Sequence, residues 1–387
     1  MICLKKPAVF AQLVLGCAAA LSALSALAAD DRVPAPSFTG AQSCASSSCH
    51  GGGTGRNEFL TYNRKDRHVF ASGILGKGTS LKIAEALGIA DPAKSAQCTV
   101  CHSPMEAVPS SRLAAELKPL PDRKPNPDRG VSCEACHGAA GEWLRFHTRR
   151  DVTYQQILAT GLRDLIDING RANACVACHL NLDESIRHAG HPELFFELDG
   201  QALAEPPHYV DVRPSLGPRS WLTGQAVALR EMSWKLAAKR DERLLVRWKA
   251  LVWLLQMTEA GKKELPGGED FSAMQSAADR LARQGARNIW PRDQVPSLLR
   301  QYVSLHREFG DGKTDRTELR RRAEALVPAI DRLWAALKKE GGTVAPEMEK
   351  DLDSLNVLAH GQDDFEPAQF AAALSQMEVT LGRALKP

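Results

Sequence analysis

The apolar residues of the C-terminal half recur at the spacing of α-helices. The clearest stretch covers residues 316–339, where one stripe is formed by Leu319, Ala323, Leu326, Ile330, Leu333 and Leu337. Asp315 and Glu318 give this stretch a start that resembles a capping box, and Gly341 and Gly342 follow its end. Similar periods predict further helices over residues 221–236, 242–260, 271–285, 295–309 and 366–385. We therefore expect an all-helical C-terminal domain over residues 213–387.

The preceding segment, residues 30–212, has a different pattern of apolar residues. Its apolar stretches are short and are interrupted by proline and glycine, as in the proline-rich loop predicted over residues 118–129. Short helices are predicted over residues 59–74, 81–87, 141–147 and 151–168. Together the two parts predict an all-α fold. Residues 30–212, however, lack the long apolar stripes that would fill a core.

Residues 1–29 have the pattern of a signal peptide. Lys5 and Lys6 precede an apolar run, and Ala26-Leu27-Ala28 fits a cleavage site. An uncleaved membrane anchor is the alternative, because the run approaches the length of a membrane span. We expect cleavage and export to the periplasm, with no membrane span in the mature chain.

Charge excludes one class of function. The net charge of the 387 residues is +3, and removing the two leader lysines leaves the remainder close to neutral. Nucleic-acid binding usually needs a concentrated basic face, and none is seen. We therefore expect no nucleic-acid partner.

The cysteines indicate the chemistry of the N-terminal part. Of ten cysteines, two lie in the leader and eight form four pairs, each followed directly by histidine. In C-x-x-C-H, two thiols bind the vinyl groups of one haem and the histidine reaches its iron. The cysteine pairs and their histidines are Cys98, Cys101 and His102; Cys133, Cys136 and His137; Cys175, Cys178 and His179; and, with four residues between the cysteines, Cys44, Cys49 and His50.

We call these motif 2 (98–102), motif 3 (133–137), motif 4 (175–179) and motif 1 (44–50). They predict four haem c groups, with His50, His102, His137 and His179 as proximal ligands. Short helices and loops would pack on the four haems in place of an ordinary core. Motif 1 could instead have lost its haem. A zinc site does not require a histidine after every cysteine pair, so the motifs favour haem.

A histidine outside the motifs can fill the sixth, distal position of each iron. His68, His147 and His191 are the favoured candidates, because each is near a motif in sequence and lies on a predicted helix or beside aromatic residues. His188 could replace His191 or hold a propionate, and His208 is a further candidate. Three favoured candidates for four haems leave one iron open, or capped by His188 or His208.

The motifs and their surroundings resemble the multihaem cytochromes c of the cytochrome c-554 type. The resemblance covers about residues 40–210 and includes His68 after motif 1, Trp143 to His147 after motif 3, and Gly190-His191-Pro192 after motif 4. It implies a periplasmic tetrahaem electron carrier with mostly bis-histidine haems in stacked pairs, one of them sometimes five-coordinate. The long motif 1 and the long C-terminal extension depart from the family.

These observations predict an exported tetrahaem cytochrome c that transfers electrons between periplasmic redox partners and is not itself an enzyme. One alternative is a haem oxidoreductase that acts on a small nitrogen or sulfur compound at an open, five-coordinate haem. Another is a structural subunit that docks to an enzyme through the C-terminal helical domain, with its haems conducting electrons to that enzyme. A haem that binds an exogenous ligand would favour the enzyme over the carrier.

Overall fold

The computed structural model describes residues 37–53, 55–113, 129–208, 216–339, 345–361 and 364–385. Within these ranges the regular structure is helical, and the only strand-like feature is an isolated bridge between Phe38 and Leu113. The predicted all-α class is confirmed. The predicted leader and most of the proline-rich loop lie outside the described residues.

Residues 37–208, which we call the haem region, contain short helices. They are α1 (Glu58–Lys65), α2 (Ala71–Ile74), α3 (Gly78–Ala86), α4 (Ala96–His102), α5 (Cys133–His137), α6 (Trp143–Phe146), α7 (Tyr154–Ala159), α8 (Ile168–His179), α9 (Glu184–His188) and α10 (Leu198–Ala204). Short 3₁₀ helices cover Ala41–Cys44, Arg67–Phe70, Pro104–Ala107 and Ser110–Arg112.

Residues 216–385, which we call the helical bundle, contain longer helices. They are α11 (Leu216–Ala238), α12 (Glu242–Leu255), α13 (Glu259–Glu264), α14 (Phe271–Arg287), α15 (Gln294–Val303), α16 (His306–Phe309), α17 (Arg316–Lys339), α18 (Pro346–His360) and α19 (Pro367–Ala384). Helix α11 packs against α14 along its length, and α17 packs against α12 and α18. The bundle therefore has a continuous core.

The predicted stripe of residues 316–339 forms the buried face of α17. Leu326, Ile330 and Leu333 are fully buried, and the Asp315 carboxylate accepts hydrogen bonds from the backbone N–H groups of Thr317 and Glu318. The start, the end and the buried face of this helix agree with the prediction. The glycines after it lie outside the described residues.

Some predicted helices are shorter than expected, because local hydrogen bonds and turns end them. The stretch 59–74 changes direction at Asp66, whose carboxylate accepts from His68 N–H and starts a 3₁₀ turn. The stretch 151–168 contains only α7, which ends before Gly161 at a φ of 100°. Helix α18 was not predicted, although Pro346 at its first turn is a typical start.

The core of the helical bundle extends into the haem region. Ile168, Ala172 and Val176 of α8 belong to the same buried cluster as Trp221 of α11. Trp221 in turn packs against Trp290 and Tyr302, so it serves as bundle core. Helix α8, which carries motif 4, is therefore anchored on the bundle. The boundary predicted at residues 212 and 213 falls in a stretch outside the described residues and remains a prediction.

No helix among the described residues is both long enough and apolar enough to span a membrane.

Candidate haem-binding site

Motifs 2, 3 and 4 each form the last turn of a helix. They end α4, α5 and α8, so the histidine of each lies about one helical turn after its first cysteine. Side chains three and four residues apart lie on the same face of a helix. This arrangement places the first cysteine and the histidine of each motif on one side of the turn, as a shared haem requires.

Motif 1 reaches a similar backbone arrangement with two more residues. His50 N–H donates to the Cys44 carbonyl oxygen at 3.2 Å, which is the bond that a helical turn provides in the shorter motifs. The insertion is a compact turn, in which a Cβ on Gly51 would lie 2.1 Å from the Ala45 oxygen. Glycine is therefore required at position 51.

Glu134, inside motif 3, holds the start of the haem region in place. It is almost fully buried, and its carboxylate accepts hydrogen bonds from the backbone N–H groups of Thr39, Gly40 and Ala140 at 2.7–3.1 Å. Thr39 and Gly40 lead directly into the 3₁₀ helix that carries Cys44. Glu134 therefore fixes motif 1 against motif 3.

Contacts between cysteines give the spatial order of the motifs. The thiols of Cys44 and Cys133 hydrogen-bond each other, which lowers the pKa of Cys44 to about 7 and raises that of Cys133. The thiols of Cys101 and Cys178 form a second such hydrogen bond, which lowers the pKa of Cys101 to about 7 and raises that of Cys178.

Motifs 3 and 4 are also neighbours in space, because a thiol of one lies near a thiol of the other. Burial, followed by the nearby Cys175, raises the pKa of Cys136 to about 12. The motifs therefore lie in the order 1, 3, 4, 2, which differs from their order along the chain.

Each motif histidine faces one histidine from elsewhere in the chain. The ring centroids are 6.3 Å apart for His50 and His147, 6.3 Å for His102 and His191, 6.5 Å for His137 and His208, and 6.0 Å for His68 and His179. An imidazole nitrogen lies about 2 Å from a bound metal ion, so two imidazoles on opposite sides of one iron have centroids about 6 Å apart. All four spacings fit a bis-histidine iron.

Hydrogen bonds at Nδ1 orient the rings of two of these pairs. His50 Nδ1 lies 3.0 Å from a Glu58 carboxylate oxygen, and His147 Nδ1 lies 3.1 Å from the Trp143 carbonyl oxygen. His191 Nδ1 lies 2.8 Å from the Pro192 carbonyl oxygen. A partner at Nδ1 fixes the ring and leaves Nε2 for a metal ion.

The Trp143 ring also packs edge-on against His147, as expected from their common face on a short helix. In the pair with His191, His102 hydrogen-bonds to the backbone of Ala71 at the start of α2. The candidate ligands of these two pairs are therefore held by elements of the haem region itself.

The other two pairs have carboxylates beside their distal candidates. His68 Nδ1 lies 2.9 Å from Asp66 Oδ1, and His208 Nδ1 lies 3.8 Å from Glu205 Oε1. Burial tends to raise the pKa of Asp66, but hydrogen bonds from His68 outweigh it and lower that pKa. Burial, and then the neighbouring Asp66, raise the pKa of Glu205. Asp66, His68 and Glu205 have ligand atoms within 4.8 Å of one another.

Burial sets the protonation state of three proximal candidates. It lowers the pKa of His102 and His179, and it lowers the pKa of His137 to about 4. A histidine must be neutral to bind a metal ion. Burial therefore favours the neutral, metal-binding form of these three rings. The hydrogen bond to Asp66 raises the pKa of His68.

The remaining histidines lie outside the four pairs. His188, predicted as an alternative distal ligand, is exposed and contacts Arg187 and Glu184 on its own helix. His306 contacts Glu378, and His360 contacts the Asn356 carbonyl oxygen, both in the helical bundle. The structure thus brings His208, and not His188, next to a motif histidine.

Several residues of the site were not predicted from the sequence. They are Glu58, Asp66, Glu134 and Glu205, which hold ligand candidates or backbone segments. Asp66 stands two residues before His68 and Glu205 three before His208, and this spacing was an available signal. Glu134 lies at a variable position of its motif and gave no signal.

Comparison with known proteins supports a c-type cytochrome. Residues 43–138, which include motifs 1, 2 and 3, match a protein-family model described as cytochrome c554 and c-prime. The resemblance to c554-type cytochromes predicted from the motifs is confirmed over this part of the chain. No curated protein and no solved structure matches the chain.

Proposed function

We propose that this protein is an exported tetrahaem cytochrome c that carries electrons between redox partners outside the cytoplasm. The family implies haem c and electron transfer, and its members are typically extracytoplasmic. The four motifs support a count of four haems. Haem iron supplies a one-electron couple, and the chain sets its potential through axial ligands, hydrogen bonds and burial.

The observation that carries the proposal is the pairing of every motif histidine with a second histidine. We assign His147, His191, His208 and His68 as distal ligands opposite His50, His102, His137 and His179, respectively. The eight motif cysteines hold the haems covalently. The order of the motifs, 1, 3, 4 and 2, gives a row of neighbouring sites with motifs 1 and 2 at its ends.

This pairing disfavours the enzyme alternative. A substrate needs an iron with an open sixth position, whereas the two histidines of each pair would hold a haem iron from both sides. Each proximal candidate has a histidine ring at ligand distance, so four six-coordinate irons account for the arrangement. The chain's residues would then hold the irons and exclude other ligands.

The decisive experiment compares His208→Ala with His188→Ala in the haem-loaded protein. We expect the parent protein to be wholly low-spin when oxidised and to bind no carbon monoxide when reduced. His208→Ala should convert one haem in four to a high-spin form that binds carbon monoxide, and His188→Ala should change neither property. Carbon monoxide binding by one haem of the parent protein would restore the enzyme alternative.

The number of haems is tested separately by mass. We expect the intact parent protein to carry four haems, and the Cys44→Ser, Cys49→Ser double variant to carry three. A parent mass with three haems would refute the assignment of motif 1.

Docking through the helical bundle remains a prediction. Deleting the bundle would not test it, because Ile168, Ala172 and Val176 of α8 share its core. Trp234 is about half exposed on α11, so Trp234→Ser can alter the bundle surface without opening the core. Docking through this surface predicts weaker binding of a redox partner by the variant, with an unchanged haem spectrum.

A further inference from the structure

Asp66 and Glu205 form a continuous connection between two of the histidine pairs. Asp66 Oδ1 lies 2.9 Å from His68 Nδ1, and Glu205 Oε1 lies 3.8 Å from His208 Nδ1. The carboxylate oxygens of Asp66 and Glu205 lie within 4.8 Å of each other and of a His68 ring nitrogen. The connection therefore runs from His68 through Asp66 and Glu205 to His208, although residues 66 and 205 are far apart in the sequence.

The connection lies where motifs 3 and 4 meet. The His68 carbonyl oxygen accepts a hydrogen bond from Val131 N–H at 3.0 Å, two residues before the first cysteine of motif 3. A Cβ on Gly130 would lie 2.6 Å from that same His68 oxygen, so glycine permits this approach. Asp66 is only 3% exposed, which limits the screening of its charge by water.

We propose that Asp66 and Glu205 are positioning residues that act as one bridge between two haem sites. A change at either carboxyl group then alters iron ligation by both the His68–His179 pair and the His137–His208 pair. The proposal rests on the distal ligands assigned under the proposed function.

The physical reason is the effect of a carboxylate on a ligating histidine. A carboxylate that accepts the Nδ1–H of a ligand, as Asp66 does from His68, fixes the ring and makes the other nitrogen a stronger donor. Glu205, 3.8 Å from His208 Nδ1, acts on that ring through its charge. A stronger donor favours oxidised iron and lowers the reduction potential. Because the two carboxyl groups lie within 4.8 Å of each other, replacing one also changes the electrostatic environment of the other.

The test first assigns spectroscopic signals in the haem-loaded protein. His68→Ala and His208→Ala should each remove one low-spin ferric signal from the electron paramagnetic resonance spectrum. If neither variant removes a signal, the ligand assignment fails, and with it the proposed function as written. This step separates failure of the ligands from failure of the bridge.

The bridge is then tested with Asp66→Asn, Glu205→Gln and the double variant. Each single variant should shift both assigned signals and raise both reduction potentials, measured by spectroscopic redox titration. The shifts in the double variant should differ from the sum of the single shifts, as for groups close enough to interact. Glu58→Gln is the matched control, because Glu58 lies beside only one assigned ligand, His50, and should shift that site alone.

Two results would overturn the bridge. In one, Asp66→Asn moves only the His68–His179 signal and Glu205→Gln only the His137–His208 signal. In the other, neither variant moves any potential, which indicates a purely structural role. Haem mass and far-ultraviolet circular dichroism show that each variant is folded and fully loaded, and Asp66→Glu supplies a charge-conserving variant should Asp66→Asn not fold.

Discussion

The haem region and the helical bundle fill their interiors in different ways. The bundle buries large apolar side chains between long helices, and Trp334, Phe370 and Leu326 are almost completely shielded from solvent. The haem region has short helices, and cysteines and paired histidine rings stand at its centre. Two parts of one all-α chain thus differ: the bundle has its own apolar core, and the centre of the haem region holds the candidate haem ligands.

The difference concerns the source of stability. Burying an apolar side chain stabilises a fold by about 1.5–3 kcal/mol without help from a cofactor. Histidine and cysteine contribute less in this way, and a bound metal group contributes to folding directly. We therefore expect the haem region, unlike the bundle, to depend on its haems.

The largest effect is expected when the chain is made without haem attachment. The backbone N–H groups of the haem region should then exchange with solvent rapidly, and those of α11 to α19 slowly, in hydrogen-exchange mass spectrometry. Helix α8 should stay partly protected, because it packs on the bundle. Equal protection of both parts would contradict the comparison.

A second variant removes a polar anchor of the haem region. Glu134→Ala leaves three backbone N–H groups without their acceptor, and each such loss costs about 1–3 kcal/mol. We expect a loss of several kcal/mol in the free energy of unfolding, measured by denaturant titration of the haem absorbance. Glu134→Gln, which keeps one acceptor oxygen, should lose less, and the exposed Glu142→Ala should have little effect.

A third variant weakens only the bundle. Leu326 is fully buried in α17, so Leu326→Ala should cost about 2–5 kcal/mol. Circular dichroism should show helix loss at lower urea, while the haem spectrum at low urea stays unchanged. Val357 is 68% exposed, and Val357→Ala should change stability by less than about 0.5 kcal/mol. Similar costs for the two would refute the assignment of the core.

The smallest effect concerns pH at the junction of the two parts. Burial raises the pKa of Glu197 from 4.5 to about 7, so between these values the folded chain binds more protons than the unfolded chain. The stability contributed by this group is complete below pH 4.5 and is lost as pH rises through 7. The loss is at most about 3 kcal/mol.

Glu197→Gln should flatten this dependence, because glutamine keeps an oxygen to cap α10 but does not titrate. Thermal unfolding measured at several pH values checks this, with the exposed Glu347→Gln as control. An unchanged slope in the Glu197 variant would show that another group is responsible.

Much of the bundle could be predicted because its signals are local. The stripe on α17 repeats every three or four residues, and Asp315 is adjacent to the N–H groups that it caps. The haem region was harder to predict, because its turns depend on single side-chain hydrogen bonds. Asp66 breaks the predicted helix over residues 59–74 by such a bond.

The sequence by itself determined the all-helical class and the four cysteine–histidine motifs. The groups of each motif are neighbours in the chain, so spacing alone brings them together. Only the tertiary structure decided which histidines face each other, since His137 and His208 meet only through the packing of several helices. His188 and His208 were both candidate distal ligands. They are the same residue type, and only the path of the folded chain places His208, and not His188, next to a motif histidine. The same holds for Asp66 and Glu205, which come from two distant stretches of the chain and have carboxylate oxygens within 4.8 Å of each other.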